Sequence, residues 1–211
     1  KHFTQTRLKL LCLLAKRRRK KLGHVTFIGI TGSAGKTLTK ELTAGFLAQF
    51  GACRKTDDSF NKTWAVAYAT WHTKKNHRYC VAEVAASGPG TLEKSVEVFQ
   101  PDIAVLTVIG RDHYSAYKSR DTIASEKEKL ITALPPDGVA VLNIDDPKVL
   151  LIGERCNRRV IWVGKGEGAE LRLKEASSPW PEPLSLSFEH QGKLYNVRTQ
   201  LHGAHQALSV L

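Results

Sequence analysis

The amino-acid sequence predicts an α/β fold: a doubly wound, mainly parallel sheet flanked by helices, with a small antiparallel β appendage near the C-terminus. From Val25 onward, short apolar runs alternate with stretches of helical periodicity, which is the pattern of βαβ units. After Val163 the pattern changes to two short alternating runs around a Gln-Gly turn, which is typical of a hairpin. At 211 residues, 42% of them apolar, the chain can bury one sizeable core, so we expect a single main domain.

The predicted strands and helices alternate regularly over the first part of the domain. The strands are predicted at residues 25–30, 52–56, 79–84, 103–108, 139–143 and 160–163. The helices between them are predicted at residues 36–50, 63–73, 92–99, 122–134 and 147–152. The appendage covers residues 164–200, with hairpin strands at 184–188 and 194–197, and residues 201–211 begin a further helix. Helical crossovers of this kind connect parallel strands, which predicts the doubly wound arrangement.

A basic segment precedes the α/β domain of residues 23–211. Residues 1–22 hold nine Lys and Arg and no acid, so the formal charge of +12 falls to +3 for the rest of the chain (12 − 9 = 3). The leucines at positions 8–14 predict a basic amphipathic helix with two open interpretations: an anchor on anionic lipid, or a helix packed on the domain or a neighbour. The apolar run is far shorter than the roughly 20 residues that span a bilayer. Because the charge is confined to one segment, we expect no nucleic-acid partner.

The four cysteines are far apart in the sequence and form no C-x-x-C pair. This argues against a zinc knuckle and against a dense disulfide framework. We therefore expect a reduced, cytoplasmic setting, at the inner face of the membrane if the basic helix is an anchor.

The most informative stretch joins the first predicted strand of the α/β domain to its first helix. Residues 31–37 read Thr-Gly-Ser-Ala-Gly-Lys-Thr, in the strand, loop and helix order that a phosphate-binding loop (P-loop) requires. Gly32 and Gly35 let backbone N–H groups approach phosphate oxygens, and the helix N-terminus adds its positive end. Lys36 is placed to neutralise the β- and γ-phosphates, and Thr37 to offer a hydroxyl to Mg²⁺. An isoleucine replaces the first glycine of the strict motif, and the alternative is a glycine-rich turn with an exposed lysine.

The loop resembles the T-G-x-x-G-K-[ST] loop of the Mur ligases, and the likeness continues in the family's order over residues 25–211. Four later segments are similar to the branch that adds D-Ala-D-Ala to the muramyl peptide: residues 61–67 (Asn-Lys-Thr-Trp-Ala-Val-Ala), 81–84 (Val-Ala-Glu-Val), 101–113 with its His-bearing loop, and 122–129 with a lysine-bearing helix. Residues 134–146 and 202–208 resemble the family's next strand and its closing segment. Folylpolyglutamate synthases share the loop and the Ile-Gly-x-Asp-His stretch, so the superfamily is better supported than the branch.

The resemblance implies the central ATP-binding domain of a ligase that joins a carboxylate to an amine through an acyl phosphate, with ATP and Mg²⁺ as cofactors and a peptidoglycan-precursor-like substrate. It also implies two further domains, so we expect the chain to be part of a longer protein and inactive alone. The roles it implies are nucleotide binding by Thr31, Gly32, Ser33, Ala34, Gly35, Lys36, Thr37, Asn143 and His205; metal binding by Thr37, Glu83 and His113; substrate contact by Asn61; and catalysis by Lys36, His113 and Lys127. Lys127 matches a lysine that is carbamoylated in many family members.

Five of the residues outside the loop also have an ordinary structural interpretation. Glu83 can be a polar strand end and His113 a loop histidine. Asn61 can cap the helix that follows it, and Lys127 can belong to a charged helix face. Asn143 begins an Asn-Ile-Asp-Asp stretch that can form a turn before a proline.

The departures from the family's pattern fall on the adenine side. The usual closing segment, G-x-H-N-x-x-N, has Gln206 and Ser209 in place of its two asparagines and keeps only His205. Val108 replaces an asparagine common in the His-bearing loop. Two other functions therefore stay open. One is a different P-loop NTPase or phosphotransferase, which needs no amine acceptor, and the other is a non-enzymatic module whose residues 1–22 bind nucleic acid or lipid headgroups.

Overall fold

The computed structural model describes residues 4–85, 88, 90–110 and 119–211. The helices within these residues are α1 (Gln5–Arg19), α2 (Lys36–Leu47), α3 (Thr63–His72), α4 (Thr91–Phe99), α5 (Arg120–Thr132), α6 (Pro147–Glu154) and α7 (Ala207–Val210), the last preceded by a 3₁₀ turn (Ala204–Gln206). The strands are β1 (Thr26–Thr31), β2 (Cys53–Lys55), β3 (Tyr79–Glu83), β4 (Ile103–Leu106), β5 (Val139–Asn143), β6 (Arg159–Gly164), β7 (Leu171–Ser177), β8 (Ser185–His190) and β9 (Lys193–Arg198).

The strands form one sheet, and the prediction of a mainly parallel, doubly wound sheet is confirmed. Its order is β2-β3-β1-β4-β5-β6-β7-β8-β9. All pairs from β2 to β7 are parallel, and the β7–β8 and β8–β9 pairs are antiparallel. Because β1 lies between β3 and β4, the chain winds away from it in both directions. The carboxyl ends of these three strands meet at one edge, which is where ligands bind in open parallel sheets.

The two faces of the sheet bury different helices, as the alternation of side chains along β1 requires. Phe27 belongs to a large core cluster that includes side chains of α3, α4, α5 and α6, and its ring meets that of Phe99 edge to face at 5.1 Å. Ile28 and Ile30 face the other way and pack with Ala44 of α2. Burying each such large apolar side chain contributes about 1.5–3 kcal/mol, so the sheet and its helices stabilise each other.

Helix α1 packs against the domain. Leu11, Cys12 and the fully buried Ala15 contact Ala67 of α3 and Val98 of α4. This packing supports the interpretation in which the N-terminal helix lies on the domain. Among the described residues, none of the helices has the length and apolar character needed to cross a membrane.

Arg19 fixes the end of α1 to the sheet. Its guanidinium donates hydrogen bonds to the backbone carbonyls of Phe99 and Gln100 and forms an ion pair with Asp102 at 2.7 Å. It also lies over the Phe27 ring, 4.1 Å from the centroid. The other carboxylate oxygen of Asp102 accepts the backbone N–H of Phe27 at 2.7 Å. The charge is therefore buried with several partners, which is the condition under which a buried arginine is tolerated.

The C-terminal appendage contains the predicted hairpin and one further strand. Strands β8 and β9 are joined at Gln191 and Gly192, whose φ angles of 51° and 73° are those of a type I′ hairpin turn. Strand β7 was not predicted; it pairs in parallel with β6 and antiparallel with β8, with an irregular register between Leu173 and Glu175. Leu173 packs in a cluster with Ala207 of α7. The appendage thus brings the C-terminal helix back onto the sheet.

Candidate nucleotide-binding site

The loop between β1 and α2 is a tight bend from strand to helix, as the sequence predicts. Gly35 is the N-cap of α2 with a left-handed φ of 80°, and Gly32 has a φ of 146°. A Cβ atom on Gly32 would lie 1.9 Å from the hydroxyl oxygen of Thr107, so only glycine fits there. The Thr39 N–H donates to the Gly35 carbonyl at 2.9 Å. The amides that precede Thr39 therefore lie at the open N-terminus of the helix, where backbone N–H groups bind anions.

The segment after β4 holds the loop in this conformation. The Thr107 hydroxyl donates to the Ala34 carbonyl at 2.6 Å, and the Ser33 N–H donates to the Val108 carbonyl at 2.8 Å. The Gly110 N–H donates in turn to the Ser33 hydroxyl at 2.7 Å. These contacts preorganise the loop. The sequence does not reveal this role of Thr107, because a place in the predicted strand of residues 103–108 says nothing about which loop its side chain contacts.

Glu83 lies at the centre of a buried polar cluster beside the loop. One carboxylate oxygen accepts the Thr37 hydroxyl at 2.7 Å, and the other accepts the Asn61 side-chain amide at 2.8 Å. The backbone N–H of Glu83 donates to the Thr56 hydroxyl at 3.1 Å. Glu83 is the last residue of β3, and the strand end that it forms is buried, since Glu83 is only 1% exposed. The cap interpretation of Asn61 is wrong, because Lys62 occupies the N-cap of α3 and Asn61 instead holds the carboxylate.

The two lysines assigned to the reaction both contact the loop. Lys36 is half-buried, and its ammonium donates to the Ser33 carbonyl at 3.3 Å. Lys127 is 1% exposed and donates to the Gly32 carbonyl at 3.0 Å. The interpretation of Lys127 as part of an ordinary charged helix face is therefore wrong, because α5 directs it inward to the loop.

Glu126, the neighbour of Lys127, has a structural role at the start of α4. Its carboxylate accepts the backbone N–H groups of Gly90 and Leu92, each at 3.0 Å, and pairs with Lys129 at 2.9 Å. Burial opposes the charged form, but the hydrogen bonds from Gly90, Lys129 and Leu92 outweigh it, so the pKa of Glu126 lies below its ordinary value. The negative charge at this helix N-terminus is stabilising.

No described contact joins two further predicted residues, Asn143 and His205, to the loop. The Asn143 side-chain oxygen accepts the Asp145 N–H at 2.9 Å, as in the predicted turn. Asp146 then caps α6 and also accepts the Ile109 N–H at 2.8 Å, which fastens the segment after β4. His205 is exposed on the 3₁₀ turn, and His113 lies outside the described residues.

The C-terminal helix reaches the loop through one of the residues that depart from the family's pattern. The Ser209 hydroxyl lies 3.1 Å from the position of a Cβ atom on Gly35. The closing segment is therefore next to the start of α2, although Ser209 and Gln206 replace the two asparagines.

The parallel sheet, the glycine bend and the buried carboxylate together define a P-loop nucleotide-binding domain of the α/β class. The chain belongs to the Mur ligase family, since residues 30–211 match the model of the Mur ligase middle domain.

Relatives and solved structures agree with this assignment and favour the MurF-like branch. The UDP-N-acetylmuramoyl-tripeptide–D-alanyl-D-alanine ligase of Mycobacterium tuberculosis is 35% identical over 189 residues, covering 88% of this chain and 34% of that protein. The ligase of the same name from Mycobacterium leprae is 33% identical over 164 residues, covering 78% of this chain and 32% of that protein. The chain thus spans about a third of the length of these relatives.

Among solved structures, MurF from Acinetobacter baumannii has a TM-score of 0.89 at 25% identity, covering 96% of this chain and 44% of its own. MurF ligase from Thermotoga maritima in complex with ADP has a TM-score of 0.88 at 27% identity, covering 99% of this chain and 48% of its own. FPGS of L. casei, at 14% identity and a TM-score of 0.74, shares the fold.

Proposed function

We propose that the chain is the ATP-binding domain of an ATP-dependent amide ligase acting on a peptidoglycan-precursor-like substrate. The observation that carries the proposal is the contact of the buried Glu83 carboxylate with Thr37, directly after the glycine bend and Lys36. The names of the relatives and the ADP complex of the Thermotoga maritima ligase support the same activity.

The loop fits the phosphates of a nucleotide. The helix N-terminus presents backbone N–H groups, and Lys36 adds a positive charge beside them. The hydroxyl of Thr31 is buried and has no hydrogen-bond partner within the part of the chain that the structure describes. Buried hydroxyls are normally hydrogen-bonded, so a phosphate oxygen would satisfy Thr31.

The oxygens of Glu83 and Thr37 fit Mg²⁺, which prefers hard oxygen ligands. They lie 2.7 Å apart at the end of β3 and the start of α2. Mg²⁺ held there would neutralise charge on the β- and γ-phosphates. An unmodified Lys127 would hold the Gly32 carbonyl through its hydrogen bond. A carbamate at Lys127 would instead add anionic oxygens to the metal ligands. His113 would serve a second metal, and Asn61, which holds Glu83, would face the substrate.

The proposed reaction has two steps. An oxygen of the substrate carboxylate bonds to the γ-phosphorus as the bond to the bridging oxygen breaks and ADP leaves. The amine nitrogen then bonds to the acyl carbon. The bond from that carbon to the phosphate oxygen breaks, phosphate leaves with the electron pair, and the nitrogen loses a proton. Because such transfers depend on positioning and charge neutralisation, Lys36 and the loop amides would supply the largest contribution from this domain.

We also propose that the exposed side of α1 contacts an anionic membrane surface at the cytoplasmic face. Leu10 and Leu13 are 57% and 46% exposed, and Arg17 and Lys20 follow at helical spacing on the same side. Co-sedimentation with phosphatidylserine vesicles should be salt-dependent and reduced by the double substitution Leu10→Ser and Leu13→Ser. Equal sedimentation of the wild type and the double variant, or no sedimentation of the wild type, would contradict membrane contact.

Calorimetric titration of the chain with Mg-ATP tests nucleotide binding. The Lys36→Ala variant should lose most of the affinity, whereas Lys94→Ala, which removes an exposed lysine on α4, should bind like the wild type. Equal binding by both variants would contradict the assigned loop.

Phosphate release by the full-length protein tests the reaction. Release that requires both a carboxylate and an amine substrate is the expected result. Release that needs neither would favour the alternative of an NTPase.

A further inference from the structure

Lys40 is a buried lysine that lies outside the loop of residues 31–37. It lies on α2, one turn after Lys36, and is 0% exposed. Its ammonium donates to the Thr56 carbonyl at 2.9 Å and to the Asp58 carbonyl, and it pairs with Glu41 at 2.8 Å. Burying a charged group is costly unless it is well paired, so this ammonium is held by the groups around it and holds them in turn.

The carbonyls that Lys40 holds belong to the segment between β2 and α3. Asp58 in this segment has a φ of 45°, a left-handed conformation that is unfavourable for a residue other than glycine. A hydrogen bond from a buried ammonium to its carbonyl offsets that strain. Lys40 is therefore one of the residues whose contacts hold the segment in this conformation.

The same segment places two partners of Glu83. At its start, the Thr56 hydroxyl accepts the Glu83 N–H at 3.1 Å. At its end, the Asn61 amide donates to the Glu83 carboxylate at 2.8 Å, and the Asn61 carbonyl accepts the Ala85 N–H at 3.0 Å. Lys40 thus links α2 to the residues that orient the carboxylate.

We propose that Lys40 is a positioning residue for the magnesium site, acting on Glu83 through Thr56 and Asn61; this inference rests on the proposed function. The described partners of the Lys40 ammonium are Thr56, Asp58 and Glu41, and none of them belongs to the loop of residues 31–37. It sets the orientation of the carboxylate that would bind the metal. Its loss should therefore weaken the magnesium-dependent part of nucleotide binding and spare the magnesium-independent part.

The test is calorimetric titration of the chain with ADP at a series of Mg²⁺ concentrations and in EDTA. Lys40→Met should raise the Mg²⁺ concentration for half-maximal enhancement of ADP binding about tenfold or more, which is the usual effect of removing a residue that orients a metal ligand. ADP affinity in EDTA should change less than about twofold, since the loop is intact. The matched control is Lys55→Met, which removes the other lysine paired with Glu41 and should leave both values unchanged.

A cycle with Asn61→Ala tests the route of the effect. Because one of the two routes from Lys40 to Glu83 runs through Asn61, the loss in the double variant should be smaller than the sum of the two single losses, whereas independent effects would add. A purely structural role predicts an equal loss of ADP affinity with and without Mg²⁺, and that result would overturn the inference.

If Lys40→Met does not fold, Lys40→Arg replaces it, because a planar guanidinium keeps the charge but not the ammonium geometry. Weakened magnesium dependence in that variant supports the inference, and unchanged dependence contradicts it. The proposed function and the Lys40 inference would fail in different ways. A wild-type chain without magnesium-dependent nucleotide binding contradicts the proposed function, whereas a normal wild type with a normal Lys40→Met variant contradicts the Lys40 inference alone.

Discussion

Replacing Gly32 by alanine should unfold the phosphate-binding loop locally and destabilise the domain. Gly32 has a φ of 146°, which side chains rarely tolerate, and a Cβ atom would lie 1.9 Å from the Thr107 hydroxyl. Both effects act on the folded state, because neither the dihedral angle nor the neighbour is fixed in the unfolded chain.

The magnitude follows from these two terms. A non-glycine residue in a sparsely populated backbone region costs about 1–3 kcal/mol, and forcing extra volume into a packed site costs about another 1–3 kcal/mol. We therefore expect the free energy of unfolding to fall by about 2–6 kcal/mol, a large fraction of the usual stability of a domain. Thr107→Ala in the Gly32→Ala background should relieve the closest steric contact, that with the hydroxyl, and leave the backbone part.

Urea unfolding followed by tryptophan fluorescence measures the effect, and Mg-ATP titration of the folded protein measures the loss of binding. Gly45→Ala in α2 is the matched control, because a Cβ there meets nothing within 4 Å and alanine favours the helix. A Gly32→Ala protein whose stability lies within about 0.5 kcal/mol of the wild type, and which binds nucleotide normally, would refute the reasoning.

Three other substitutions test the remaining contacts. Arg19→Met should lower the free energy of unfolding, measured by chemical denaturation, by about 1–3 kcal/mol. The loss is smaller than for a fully buried pair because the Asp102 side chain is 36% exposed. An unchanged free energy of unfolding would contradict the packing of α1 on the domain. The pKa of Glu126 in the folded state lies below the ordinary 4.5, so its contribution to stability is present above pH 4.5 and is lost as pH falls through the lower folded value. Glu126→Gln should remove that part of the pH dependence of stability, measured by urea unfolding from pH 6 to 3. An unaltered pH profile would contradict the role of Glu126. Glu83→Gln should bind ADP without the enhancement by Mg²⁺ that we expect of the wild type, and calorimetry showing full enhancement would exclude Glu83 as a metal ligand.

The parallel part of the fold could be predicted because each strand is a short apolar run followed by a helical stretch. Phe27 and Ile28 pack on opposite faces of the sheet, yet both are apolar, which is the mark of a strand buried on two sides. Strand β7 could not be found in this way. Its Arg172, Lys174 and Glu175 give it a polar sequence, and it joins the sheet mainly because β8 offers a backbone edge.

The part of the site formed by consecutive residues could be predicted from the sequence. The part that depends on the direction of side chains from other elements could not. Residues 31–37 are contiguous, so their motif and the bend coincide. Lys127 and Glu126 are neighbours in one charged run, and only the orientation of α5 shows that the first meets the loop and the second caps α4. Lys40 carries no motif, and its burial depends on carbonyls supplied by a different segment.

Strand register explains why residues so distant in the sequence meet at one loop. Ile30 of β1 is paired with Glu83 of β3, and Thr31 is paired with Leu106 of β4, so both neighbouring strands end level with the start of the loop. The last residue of β3 then lies beside α2, and the residue after Leu106 is Thr107, which holds the loop carbonyls. Because side chains alternate between the two faces of a strand, a register shift of one residue would turn Glu83 to the opposite face and away from Thr37. The chemistry of the site therefore depends on the pairing of β1 with both neighbours as much as on the residues of the loop.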